Sequence, residues 1–411
     1  MSQLTTYYVG AGASAGNKIE EIYEDPIVDS LGPQVLHTND EKNRHTYIKA
    51  LHSSYEGRIN AGERIPAVAS MPFRLKYIQS RIENFFVSET LDIDQEILDK
   101  ILPAQELLRN DFRWLIDKLN THKTVDQLAS EILTQSNNLE ENNEEKNELQ
   151  KQYEILKLVL AVYFSFDQLL TPTDSRYRTF FSQMCRGKLE NLLQSKSKIV
   201  SWNYDCQFEI AFAEFMKYSS LAKSNSALNI GTRYYSPFDE NRFGIEKLNG
   251  TSISYRKDSE SSTFFFDELK LNENNASLRY YSPKVAANII FNYLICRNDL
   301  QNVQSGISFS WDAPFEDPSI MRSLSIMQKT RELIIIGYSF PPVNEAIDRR
   351  LLQSLRFLHN VVIQDYYPHR IKSRLLTLGG PKIQENVNNG NLRIELLTPE
   401  DYNEFALPGQ F

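Results

Sequence analysis

Four short stretches hold residues whose types and spacing could do chemistry: GAGAS at 10–14, WNYD at 202–205, GYSF at 337–340 and QDYYP at 364–368. Each follows an apolar, β-prone run, so each reads as the polar end of a strand. In an open parallel sheet all four ends lie at the carboxyl edge, outside which ligands bind at a topological switch point. Gly10 and Gly12 carry no side chain, which lets the backbone approach a diphosphate, and the amino end of a following helix would add its dipole. A plain tight turn is the other reading of that pair of glycines. Asp205 directly precedes an apolar helical run and could cap it. Ser339 and Asp365 could likewise be ordinary strand-end caps.

The elements that must position these ends follow from periodicity. Residues 5–9 read as a buried strand. From about 72 to 170 the pattern is strongly helical, in FRLKYIQSRIENFF (73–86), ILDKILPAQELLRNDFRWLIDKL (97–119), VDQLASEIL (125–133) and the run 139–164, charged at first and then apolar. The chain then returns to alternating strands and helices. KSKIVSWNYD (196–205) is a strand with QFEIAFAEFM (207–216) as the helix behind it. ELIIIGYSF (332–340) and NVVIQDYYP (360–368) flank a helix at 344–358, and LRIELL (392–397) is a last strand. Thr398 with Asp401 three residues on suggests a helix start. Residues 228–310 look strand-rich and irregular, and RYYSP occurs there twice, at 233–237 and 279–283. The expected architecture is α/β: a Rossmann-like parallel sheet in one domain over 1–411, with a helical insertion at about 72–170 and an irregular strand-rich subdomain at 225–330.

Composition excludes several classes. The 411 residues suffice for a sizeable core, and 41% hydrophobic with 24% charged residues is the balance of a globular protein. A net charge of −8 gives no basic excess to displace counterions from a nucleic acid, so direct nucleic-acid binding is not expected. Cys185, Cys206 and Cys296 form no CxxC pair for zinc, and three cannot all pair with one another. They read as buried thiols in a reducing compartment. No apolar run is long enough for a membrane span, and the start has no secretory pattern, so a cytoplasmic location is expected.

The set resembles the sirtuin-like NAD-binding domains of prokaryotic anti-phage defence NADases. GAGAS is similar to that family's N-terminal Gly-Ala-Gly-x-Ser loop, and WNYDCQFEIAF (202–212) to its Thr-Asn-Tyr-Asp loop and apolar helix. LIIIGYSFPPVNEAI (333–347) resembles its late strand, and TVDQLA (124–129) sits where the family carries a helical insertion. The resemblance implies that Gly10, Ala11, Gly12 and Ser14 hold the diphosphate of NAD. It places Asn203 beside the nicotinamide ribose and has Asp205 position that loop. Gly337 and Ser339 would contact the adenosine ribose, with Asp365 near the adenine. It further implies NAD as substrate or ligand, no metal, a homo-oligomer and a defence-system partner protein.

One departure bears on activity. The family's Lys-Leu-His-Gly-Ser stretch, with its catalytic histidine, corresponds here to EKLNGTS (246–252), which puts Asn249 at the histidine's position. An amide can orient water or a hydroxyl but accepts no proton near neutral pH. General-base assistance is typically worth about 10²–10⁴-fold, so turnover need not vanish with it. None of the six histidines is close to 249 in sequence; His369, after QDYYP, could approach the site or be a surface residue. Two functions therefore stand: an NADase releasing nicotinamide and ADP-ribose, and a sirtuin-like module that binds NAD or ADP-ribose and acts through assembly with a partner. A zinc-bearing deacylase is disfavoured by the cysteines. A hydride-transfer dehydrogenase is disfavoured because no clean helix leads from GAGAS to a second strand with an acidic ribose ligand.

Overall fold

A computed structural model describes residues 4–11, 71, 75, 78–79, 82, 95–122, 124–141, 143–170, 173–234, 238–257, 261–265, 283–312, 315–398 and 404–408. Gly12, Ser14 and the proposed helix start at 398–401 lie wholly or partly outside them, as does most of the helical run at 73–86.

Among the described residues there are ten strands. In chain order they are β1 (Thr5–Val9), β2 (Lys198–Ser201), β3 (Ile230–Gly231), β4 (Gly244–Lys247), β5 (Gly250–Arg256), β6 (Ser261–Phe264), β7 (Val303–Ile307), β8 (Glu332–Ile336), β9 (Asn360–Gln364) and β10 (Arg393–Leu397). The helices are α1 (Gln95–Leu119), α2 (Val125–Asn137), α3 (Glu144–Leu170), α4 (Ser175–Cys185), α5 (Leu189–Leu193), α6 (Gln207–Met216), α7 (Leu221–Ala227), α8 (Pro283–Asn298), α9 (Pro318–Lys329), α10 (Glu345–Gln353) and α11 (Pro368–Asn388).

The chain divides into two compact units, one of Met1–Gly16, Gln168–Tyr280 and Gln301–Phe411, the other of Asn17–Asp167 and Tyr281–Leu300. The first carries a seven-stranded sheet in the order β10-β9-β8-β1-β2-β4-β3, parallel at every pairing. Both faces are covered, as an all-parallel sheet requires. Successive residues of β1 show how: Tyr7 joins Phe180 and Phe181 of α4 and Phe208 and Phe212 of α6, while Tyr8 packs with Ile320 of α9, Leu351 of α10 and Leu375 of α11. The result is a three-layer α/β/α fold of the Rossmann-like class.

Beyond the sheet's β4 side of the chain, β5 pairs antiparallel with both β6 and β7 to make a second, three-stranded sheet. The stretch 225–330, read from sequence as one irregular subdomain, is thus divided. Its strands β3 and β4 belong to the parallel sheet, β5–β7 form the small sheet, α9 covers the parallel sheet, and α8 belongs to the second unit. Helix α8 is hidden in the sequence because PKVAANIIFNYLICRN is apolar on nearly every side and rich in β-branched and aromatic residues.

The second unit is helical. Within it α8 packs on α1, where Tyr293 and Arg297 both donate to Asp111 Oδ2, the arginine at 2.9 Å. Thr124 caps α2 by accepting from the Gln127 N–H at 3.0 Å.

Candidate functional site

The site grows out of the carboxyl edge of the parallel sheet. Reversal of strand order falls at β1: the chain leaves it toward β2 on one side, and β8 later lies against its other side. A crevice opens at such a reversal. Gly10 stands there, its N–H donating to the Ile336 carbonyl at 3.1 Å. A Cβ on Gly10 would lie 2.5 Å from Tyr338 Cδ2 and 2.7 Å from the Gly337 carbonyl oxygen. Glycine is therefore demanded by the close approach of the β8 end, and Ala11 beyond it is exposed. Gly337 turns that end away with φ 57°, and its N–H donates to the Gln364 carbonyl of β9 at 3.0 Å.

On the other side of β1 the ladder continues past β2 and β4. The Trp202 N–H donates to the Val9 carbonyl and the Leu248 N–H to the Ser201 carbonyl, both at 2.9 Å. The 202–205 loop is then fastened to 247–252 carbonyl by carbonyl. Asn249 Nδ2 donates to Trp202 O at 3.2 Å, Ser252 Oγ to Tyr204 O at 3.1 Å and Lys247 Nζ to Asp205 O at 2.6 Å. Asn203 and Asn249, 4% and 6% exposed, are thereby brought to neighbouring positions on one edge.

The carboxylates at the strand ends act locally. Asp205, one residue ahead of Cys206, the N-cap of α6, accepts at Oδ1 from the Gln207 N–H at 3.2 Å. Asp365 Oδ1 accepts from the Tyr367 N–H at 2.8 Å. Each carboxylate thus holds the backbone N–H two residues on, Asp205 just before the N-cap of α6 rather than as the cap itself. Ser339 is half-buried, and His369, in the first turn of α11, is exposed. From one side of the edge to the other the order is Asp365, Gly337 with Ser339, Gly10, Asn203 and Asn249.

Beneath the carboxyl edge lies a network that the sequence reading did not single out. Tyr8 OH donates to Asp348 Oδ1 at 2.5 Å and Tyr338 OH to Asp348 Oδ2 at 2.8 Å. Trp202 Nε1 donates to Tyr8 OH at 2.9 Å, and Asn344 Nδ2 to Tyr338 OH at 3.0 Å. The Trp202 and Tyr338 rings stack at an interplanar angle of 5°. One carboxylate of α10 thus ties together the ends of β1, β2 and β8. Burial pushes the Asp348 carboxyl up to about 7, against the two tyrosine hydroxyls that favour its charge. The signal in the sequence was an acid on the apolar face of α10, between Ile347 and Leu351, where a charge needs a buried partner.

Glu246 and Lys247, consecutive in β4, are both buried and point to opposite faces. Glu246 receives Arg322 of α9 at 2.7 and 2.9 Å, and burial still pushes it up to about 7. Lys247 pairs with Glu209 of α6 at 2.6 Å. Cys206, beside this pair and 3.2 Å from Thr251 Oγ1, is pushed up to about 12 by burial, which favours the neutral thiol. Cys185 and Cys296 are also buried, and all three thiols are free. Among the described residues no cluster of three or more His, Cys, Asp or Glu could hold a metal, and no helix is long and apolar enough to cross a membrane.

No family model matches the chain, and no curated protein matches it.

Proposed function

We propose that the chain binds NAD along the carboxyl edge of its parallel sheet and hydrolyses the nicotinamide–ribose bond, water adding to the ribose as nicotinamide leaves and ADP-ribose results. The supporting observation is the convergence of Gly10, Asn203, Asn249, Gly337 and Asp365, far apart in sequence, on one edge at its reversal point. In this reading Gly10 and Ala11, with Gly12 and Ser14 beyond them, admit the diphosphate. Gly337, Ser339 and Asp365 take the adenosine half, and Asn203 and Asn249 the nicotinamide ribose, with Asp205 fixing the loop. The chemistry asks no metal of the protein. Two amides orient water and ribose hydroxyls, and bond polarisation comes from the cationic nicotinamide of the substrate itself. The resemblance also supports a role as a homo-oligomeric anti-phage effector acting with a second defence protein, and the three free, buried thiols support a cytoplasmic location.

One observation favours a second reading, a module that binds NAD or ADP-ribose without cutting. The Asn249 amide is committed to the Trp202 carbonyl, as a structural clasp would be, and supplies no base.

Nicotinamide release from NAD by the purified protein, alone and with the protein encoded beside it, separates the two. Turnover that disappears in Asn203→Ala supports the hydrolase. Silence that turns into activity in Asn249→His means an intact site without its base. Silence in every variant alongside measurable NAD binding supports the binding module, and absence of both activity and binding overturns the NAD reading.

A further inference from the structure

Asn249 and Ser308 lie opposite each other where the small antiparallel sheet meets the carboxyl edge. The β5–β7 register pairs Gly250 with Ile307, so one step outward sets Asn249 against Ser308, and the Ser308 N–H donates to the Asn249 carbonyl at 2.9 Å. Ser308 is 0% exposed and Asn249 6%. Among the described residues neither Asn249 Oδ1 nor Ser308 Oγ has a hydrogen-bond partner. Neighbouring hydroxyls are employed: Ser305 Oγ accepts from the Ile307 N–H, and Ser252 Oγ donates to the Tyr204 carbonyl. Buried polar atoms are nearly always paired, so two orphans on facing residues point to a group that comes from outside the chain.

The chemistry of that group follows from the two atoms. Asn249 Nδ2 faces the Trp202 carbonyl, which fixes the amide orientation, since the flipped amide would set oxygen against oxygen. Oδ1 is therefore an acceptor awaiting a donor, and it repels phosphate or carboxylate. Ser308 Oγ can donate or accept. A neutral hydroxyl placed between them would satisfy both, giving its proton to Oδ1 and accepting from Oγ–H. We propose that Asn249 and Ser308 form a two-point site for a sugar hydroxyl, with Ser308 a ligand-binding residue of the edge. That the sugar is a ribose of NAD rests on the function proposed above; the hydroxyl chemistry does not.

Calorimetric titration with ADP-ribose and with D-ribose, neither of which has a nicotinamide bond to break, tests the pair in the wild type and in Ser308→Ala. The expected result is binding weakened about 3- to 10-fold in the variant, the worth of one neutral hydrogen bond. Without ligand, Ser308→Ala should melt at the same temperature or higher, because it removes an unpaired buried hydroxyl. A variant that melts markedly lower, or does not fold, shows a structural hydroxyl and overturns the proposal. ADP-ribose binding equally to both proteins overturns it while leaving the NAD reading intact. D-ribose alone binding, and more weakly in the variant, upholds the hydroxyl site and removes support for NAD. Failure of both probes on the wild type overturns the hydroxyl site, and the NAD reading then stands or falls with nicotinamide release and NAD binding.

Discussion

Lys247 Nζ stands 2.6 Å from Glu209 Oε1 with both side chains shut away from solvent, and the same ammonium donates to the Asp205 carbonyl. Burial opposes the lysine charge, but its acidic neighbours, Glu209 foremost, outweigh burial and hold its pKa above the ordinary lysine value. The pair therefore does two things. It joins β4 to α6, and it fixes the backbone that carries Asn203.

Removing one partner leaves a buried charge alone. Lys247→Met should cost about 3–5 kcal/mol in urea denaturation. Lys247→Met/Glu209→Leu should recover most of that, because two apolar side chains can fill the space without a charge to desolvate. The double variant would still lack the donor to Asp205 O, so recovered stability with weakened ligand binding is the expected pattern. A single variant within 0.5 kcal/mol of wild type, the ordinary range for surface substitutions, would contradict the described burial.

Asp348 gives a pH dependence with a definite sign. Its folded pKa, about 7, lies above the unfolded value of 3.8, so the folded protein holds the proton more tightly. The corresponding stabilisation is complete below pH 4 and is lost as pH rises through 7. Three pKa units correspond to an effect on the order of 4 kcal/mol. Glu246, also near 7, has the same sign, so wild type is best compared with Asp348→Asn rather than with itself. The stability gap between those two proteins should be larger at pH 5 than at pH 8. A gap that stays constant or widens toward pH 8 would show that Asp348 is ionised throughout.

Arg322 shows why lysine would not replace it. Its guanidinium reaches Glu246 Oε2 at 2.7 Å, Glu246 Oε1 at 2.9 Å and the Thr232 carbonyl at 2.8 Å. A lysine keeps the charge but lacks the planar fork. Arg322→Lys should lose on the order of 1–3 kcal/mol of unfolding free energy, since at least one buried acceptor is left unpaired. A change under about 0.5 kcal/mol would place that acceptor in contact with water.

The strand ends were legible because each joins two strong local signals, an apolar β-prone run and an abrupt polar or glycine break. TTYYV ending at Gly10 and ELIII ending at Gly337 are read from neighbours in sequence alone, and QFEIAFAEFM lies at Gln207–Met216 as its period predicts. The 21-residue helix α11 was not legible, because Gly379-Gly380-Pro381 interrupts it and Gly380 leaves helical geometry at φ 76°. The network under the site was hidden for another reason. Tyr8 and Asp348 are 340 residues apart, and nothing near either one announces the other. Ser308 is the same case: SFSW reads as an ordinary strand end until the β5–β7 register sets it against Asn249.

Gly10 offers the sharpest test of the proposed binding edge. Two of the three atoms nearest a Cβ there are backbone, the Gly337 carbonyl oxygen at 2.7 Å and Tyr338 Cα at 2.8 Å, so no side-chain rotation relieves the clash. The ends of β1 and β8 would have to part, although they share the hydrogen bond from Gly10 N–H to Ile336 O. Tyr338 is further held by Asp348 and Asn344, which resist the movement. Gly10→Ala should therefore lose about 1–3 kcal/mol of stability through overpacking. It should also lose NAD binding by more than that destabilisation explains, because parting the ends of β1 and β8 displaces Gly10 and Gly337, which the proposed function sets against the ligand. Thermal melting and calorimetric titration on the same sample separate the two effects. Lowered stability with unchanged affinity would mean that Gly10 serves only the packing of two strands, and that the ligand lies elsewhere along the edge.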